Sequence, residues 1–145
     1  MSHNQAISKM KSISALNQLL VLSDESLTVL DLETLDLVRH LKFKNVSTFC
    51  LNEDPVNEDP FTVEIAVAIK KKIQYVYMND EGIRVIKDFP ASSGPPVAMA
   101  MDGVHICFSS GLEYCMLDIL TGEIQQLFSR DLPEQIPIIQ RVSKV

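Results

Sequence analysis

The chain has 145 residues, 46% of them apolar and 22% charged, so it is long enough to bury one core and too apolar for a disordered segment. Thirteen Lys and Arg against nineteen Asp and Glu leave a formal charge of -6, which excludes general nucleic-acid binding and makes any use of basic residues local. Three cysteines, Cys50, Cys107 and Cys115, form no CxxC pair and stand in apolar runs, the pattern of buried, reduced thiols.

The N-terminal stretch "MSHNQAISKMKSISALNQLLVL" lacks an apolar run near the ~20 residues a membrane helix needs, and it has no small-residue cleavage site after a hydrophobic core. Residues 1–6 are expected to be flexible and residues 7–145 to form the domain. "AISKMKSISAL" fits a short helix and a strand equally well, with Ile7, Met10 and Ile13 partly buried.

Strands follow at "QLLVLS" (18–23), "SLTVLDL" (26–32) and "DLVRHL" (36–41), turning at Asp24-Glu25 and Glu33-Thr34. Four more are read at "VSTFCL" (46–51), "FTVEIAVAI" (61–69), "KIQYVYM" (72–78) and "IRVIKDF" (83–89), the last pair joined through "NDEG" with Gly82 free to take positive φ. "PVAMAM" (96–101), "VHICFS" (104–109), "EYCML" (113–117) and "EIQQLF" (123–128) repeat the arrangement, and "PIIQRV" closes the chain.

"TVLDLETLDLVRHL", "QYVYMNDEGIRVIKDF" and "CMLDILTGEIQQLF" each hold a strand, a polar turn and a second strand. Their turns lie about 46 and 41 residues apart, the spacing of four-stranded propeller blades. The expected fold is therefore all-β, a partial β-propeller of about three four-stranded antiparallel blades. Closed rings typically need about four to eight blades, so this one is incomplete, and its open edges invite edge-to-edge self-association.

On this map Lys70, Lys71 and Lys72 occupy a hairpin turn, where charge stays solvated and discourages edge pairing. The alternative is contact with an anionic lipid surface, at about 1 kcal/mol per lysine. "NEDPVNEDP" (52–60) is acidic, but prolines replace the central Gly of a calcium loop, so it reads as a stiffened polar connection. His3, His40 and His105 are scattered, and no GxSxG, HExxH, GxxxxGK[ST] or GxGxxG run occurs. No catalytic, cofactor or metal residue is assigned. Asp31 and Asp118 precede equivalent turns and are expected to bind backbone amides there.

Several stretches in order along residues 7–142 resemble the citron homology domain of vesicle-tethering proteins of the CORVET and HOPS type: "SALNQLLVLSD", "FCLNEDPVNEDPF" followed by "VEIAVAIKKKIQ", "PPVAMAMDGVHICF" and "PIIQRV". The resemblance implies a propeller-like domain that precedes a long α-solenoid in the full-length proteins, with no catalytic residues to carry over. It also implies a protein-interaction module of endosomal and lysosomal trafficking, cytoplasmic and peripheral on those membranes. The partners it implies are tethering-complex subunits, small Rab-type GTPases, and TGF-beta receptors or Smad proteins.

Overall fold

The computed structural model describes residues 7–91, 94–110 and 113–129. The expected flexible segment 1–6 and the closing "PIIQRV" lie outside the described residues. Twelve strands run in chain order through the described part: β1 (Ile7–Ile13), β2 (Gln18–Ser23), β3 (Ser26–Asp31), β4 (Leu37–His40), β5 (Val46–Leu51), β6 (Val63–Ile69), β7 (Lys72–Asn79), β8 (Gly82–Pro90), β9 (Pro96–Asp102), β10 (His105–Ser110), β11 (Glu113–Asp118) and β12 (Ile124–Ser129). They form three four-stranded antiparallel sheets, each a meander of consecutive strands.

The hairpins follow from local chemistry. At the β2–β3 turn Asp24 and Glu25 both take positive φ, the requirement of a two-residue turn whose twist matches the strands. At the β7–β8 turn the Asn79 side chain accepts hydrogen bonds from Glu81 N and Gly82 N, at 2.9 and 3.3 Å.

The sheets pack face to face through two separate cores. Leu20, Leu22, Leu27 and Val29 of the first sheet meet Phe49, Ile65, Val67, Val76 and Met78 of the second. On the opposite face of the second sheet, Cys50, Ala66, Ala68, Ile73 and Tyr75 meet Met99, Met101, Ile106, Phe108 and Leu117 of the third. The middle sheet is thus buried on both sides, which is why "VEIAVAI" reads as a continuous apolar run: Ile65 and Val67 alternate with Ala66 and Ala68.

The first strand of each sheet lies innermost. β5 runs beside β9 through a parallel bridge between Asn52 and Met101, and Lys9 Nζ on β1 donates to the Phe49 carbonyl on β5. β4, β8 and β12 are the outer edges. Three sheets stacked side by side with adjoining inner strands are the propeller arrangement that the repeat spacing predicts.

Two details differ from expectation. Residues 7–13 form a strand, and only Ile13 is buried, whereas Ile7 and Met10 are exposed. Strand alternation and a register shift between Ile7 and Lys9 turn Met10 away from the second sheet. The strand read from Phe61 begins instead at Val63, because Asp59 holds the preceding turn: its carboxylate accepts from Phe61 N at 3.0 Å and Thr62 Oγ1 at 2.8 Å. Phe61 is left exposed.

Candidate interaction site

Lys70 and Lys71 form the two-residue turn between β6 and β7, with Ile69 paired to Lys72. Lys70 takes φ +53, its N–H is bound to the Asn45 carbonyl, and the Lys71 carbonyl accepts from Ala91 N at 2.8 Å. Both side chains are exposed. Lys72 points elsewhere, 3.9 Å from Asp88 across the hairpin, in an ion pair open enough to water to be weak.

Lys72 also lines a cleft of about 630 Å³ between the first and second sheets, together with Arg39, His40, Lys42 and Lys44. Ile69, Ile83 and Val85 form its apolar wall, and among the described residues no acidic side chain lines it. Arg39 fixes one end by donating from Nη2 to the Asp80 carbonyl at 2.8 Å. The segment 41–44 alternates buried Leu41 and Phe43 with exposed Lys42 and Lys44, so the core anchors it while its cations face outward. Sequence reasoning singled out only Lys70–Lys72. The alternation in "LKFK" was a usable signal, but that a second sheet would face it depends on tertiary packing.

The acidic loop 52–60 does hold a carboxylate site, although not for calcium. Both Asn residues of its NEDP repeats bind Glu64, a β6 side chain that is 1% exposed. Glu64 Oε1 accepts from Asn52 Nδ2 at 2.8 Å and Tyr75 Oη at 2.7 Å, while Oε2 accepts from the backbone N and Nδ2 of Asn57 at 2.7 and 2.5 Å. Burial pushes the Glu64 carboxyl up, but the hydrogen bonds outweigh it and hold the group below its ordinary value. Burial, with the adjacent Glu64, pushes the Tyr75 phenol up, so it stays a donor. Asn52 extends the network to the third sheet, donating to the Gly103 carbonyl and accepting from Gly103 N, both at 2.9 Å.

Asp31 and Asp118 perform the backbone role expected of them. Asp31 Oδ1 accepts from Glu33 N and Thr34 N at 2.9 and 3.0 Å, and Asp118 Oδ1 accepts from Leu120 N and Thr121 N at 2.8 and 3.3 Å. The two turns differ at the left-handed position, which is Leu35 at φ +61 in one and Gly122 at φ +79 in the other. Leu35 is 60% exposed, so its side chain adds strain without burial. Leu35→Gly is expected to stabilise the chain by about 0.5 kcal/mol in urea denaturation, with strain relief exceeding the added chain entropy.

Burial pushes the Cys50 thiol up to about 12, and it also raises Cys115, as suits inert packed thiols. Cys107 is only half-buried, contrary to expectation, because it alternates to the outer face of the third sheet. Cys107 pairs with Met116 and Cys115 with Phe108, so the two thiols point to opposite faces. His40 lies at the cleft, His105 on the third sheet, and His3 outside the described residues. Among the described residues no three His, Cys, Asp or Glu side chains converge as a metal site.

No protein-family model matches the sequence. The chain is 35% identical over 140 residues to the transforming growth factor-beta receptor-associated protein 1 homolog of Danio rerio, and 32% identical over 141 residues to transforming growth factor-beta receptor-associated protein 1 of Homo sapiens. These alignments cover 94% and 95% of the chain but only 16% of each relative. Among solved structures, the AfRom2 CNH domain superposes on 85% of the chain with a TM-score of 0.64 at 11% identity, covering 41% of that chain. The WD40 domain of Neurospora crassa Pan2 superposes on 83% with a TM-score of 0.58 at 15% identity. At such identities the likeness establishes the fold: an all-β, propeller-like body.

Proposed function

The chain is homologous to transforming growth factor-beta receptor-associated protein 1 along almost its whole length, and on that premise we propose that it is a non-enzymatic protein-interaction module of a vesicle-tethering protein. The observation that carries this reading is the 31–35% identity to these relatives over 94–97% of the chain, joined to a citron-homology-like propeller fold. Rigid sheets present their loops and clefts with little ordering on binding, the property a docking platform needs. In this reading the chain acts in endosomal and lysosomal trafficking of the CORVET or HOPS kind, on the cytoplasmic face of those membranes. Its partners are tether subunits and small Rab-type GTPases, with TGF-beta receptors or Smad proteins as further candidates, and its open outer strands allow edge-to-edge pairing of copies.

Affinity purification from cells tests this reading, with the chain run beside the full-length Danio rerio relative. Both are expected to recover an overlapping set of tether subunits. Recovery by the full-length protein and none by this chain would overturn it.

The two exposed lysines at the tip of one hairpin favour a second reading, contact with anionic membrane through Lys70, Lys71 and Lys72. Replacing all three by serine is then expected to abolish flotation with anionic liposomes; unchanged flotation ends the idea.

A further inference from the structure

Resting on the interaction reading above, we propose that the cleft between the first and second sheets docks an extended acidic segment of a partner protein in which apolar residues alternate with Asp or Glu. Charge argues first. A chain of net charge -6 gathers Arg39, Lys42, Lys44 and Lys72, with His40, around one cleft; Asp88 stands beside Lys72 in a weak pair, and among the described residues no acidic side chain lines the cleft itself. Such a local reversal attracts an anionic partner against the field of the whole molecule.

The apolar wall chooses between anions. Ile69, Ile83 and Val85 line the same space, and Val85 is 45% exposed. A phosphate or lipid headgroup has no use for that wall, whereas apolar side chains of a peptide bury it. The cations are distributed, not focused: Lys42 and Lys44 sit two residues apart on one side, and Lys72 stands on the facing strand. That spread suits a string of carboxylates better than one compact headgroup.

Backbone adds a third element. Among the described residues β4 and β8, the strands that flank the cleft, are the outer members of their sheets and pair on one side only. An extended peptide laid there meets open main-chain groups, and its alternate side chains divide between the apolar wall and the lysines.

The probe is a fluorescein-labelled octapeptide alternating leucine with aspartate or glutamate, read by fluorescence anisotropy against the whole chain. Binding is expected with Kd on the order of 10–100 µM at low salt, weakening as salt rises. Lys42→Ser with Lys44→Ser, and separately Val85→Ser, each weaken it about tenfold while leaving the melting temperature close to the parent's. Lys70→Ser with Lys71→Ser leaves it unchanged.

Equal binding by the parent and both cleft variants overturns the proposal. So does equal binding of a peptide with serine in place of leucine, or binding of phosphatidylserine vesicles through these residues with none of the peptide. The interaction reading fails separately. If the Lys42/Lys44 variant recovers tether subunits from cells as well as the parent does, the cleft falls and that reading stands; if the parent recovers none, that reading falls whatever the peptide does.

Discussion

Glu64→Ala is expected to cost about 4 kcal/mol in urea denaturation at pH 7, a large share of the roughly 5–15 kcal/mol that holds a domain of this size together. The carboxylate lies in the middle sheet and accepts four hydrogen bonds from Asn52, Asn57 and Tyr75. Removing it leaves the buried Asn52 and Tyr75 donors facing a void instead of water, and their desolvation is no longer offset, while half-buried Asn57 loses its anchor. Glu64→Gln tests the charge by itself. Its amide presents hydrogens where one carboxylate oxygen accepted, so it also destabilises at pH 7, by about 2 kcal/mol.

The same group sets an acid limit. Its native pKa lies below the ordinary value of 4.5, so the folded state prefers the ionised form and the unfolded chain binds the proton more readily. This contribution is fully present above the ordinary value, and it is lost as pH falls through the lower native one. Stability of the parent should therefore fall from about pH 5 downward, and the Glu64→Gln variant should lose less over the same interval. Parallel acid curves for the two proteins would show that the carboxylate contributes nothing specific.

Most of the fold was legible because its signals are local. Turns such as Asp24-Glu25 and "NDEG" bound each strand, and period-two alternation tells which side chains share a face. The equivalence of Asp31 and Asp118 was readable too, since a side chain that binds amides two and three residues ahead needs only its own turn. The role of Asn52 and Asn57 was not. "NEDPVNEDP" advertises its acids, yet Glu53, Asp54, Glu58 and Asp59 are exposed, and apart from Asp59 at its own turn the working residues are the two amides that reach a carboxylate on the next strand. Nothing in their composition marks them, because Glu64 sits in a run that otherwise reads as pure core. The basic cleft was hidden for a related reason: Lys42 and Lys72 are thirty positions apart and meet only when two sheets stack.

The two cores make the last expectation directional. Phe49 and Phe108 are both fully buried, one in each core, so Phe108→Ala should cost about 4 kcal/mol through lost burial and a residual cavity. The cost should not be shared evenly. Phe108 belongs to the core between the second and third sheets, so its loss weakens that junction more than the core between the first and second sheets. In native-state hydrogen exchange, amides of β9–β12 should lose protection first while β1–β4 keep theirs, and Phe49→Ala should reverse the order. The middle sheet stays protected in both, since each variant leaves it one intact core. Equal loss of protection in all twelve strands would instead mean that the three sheets fold as one unit, with the Asn52 bridge to Gly103 and the Lys9 bond to Phe49 coupling what the apolar cores leave separate.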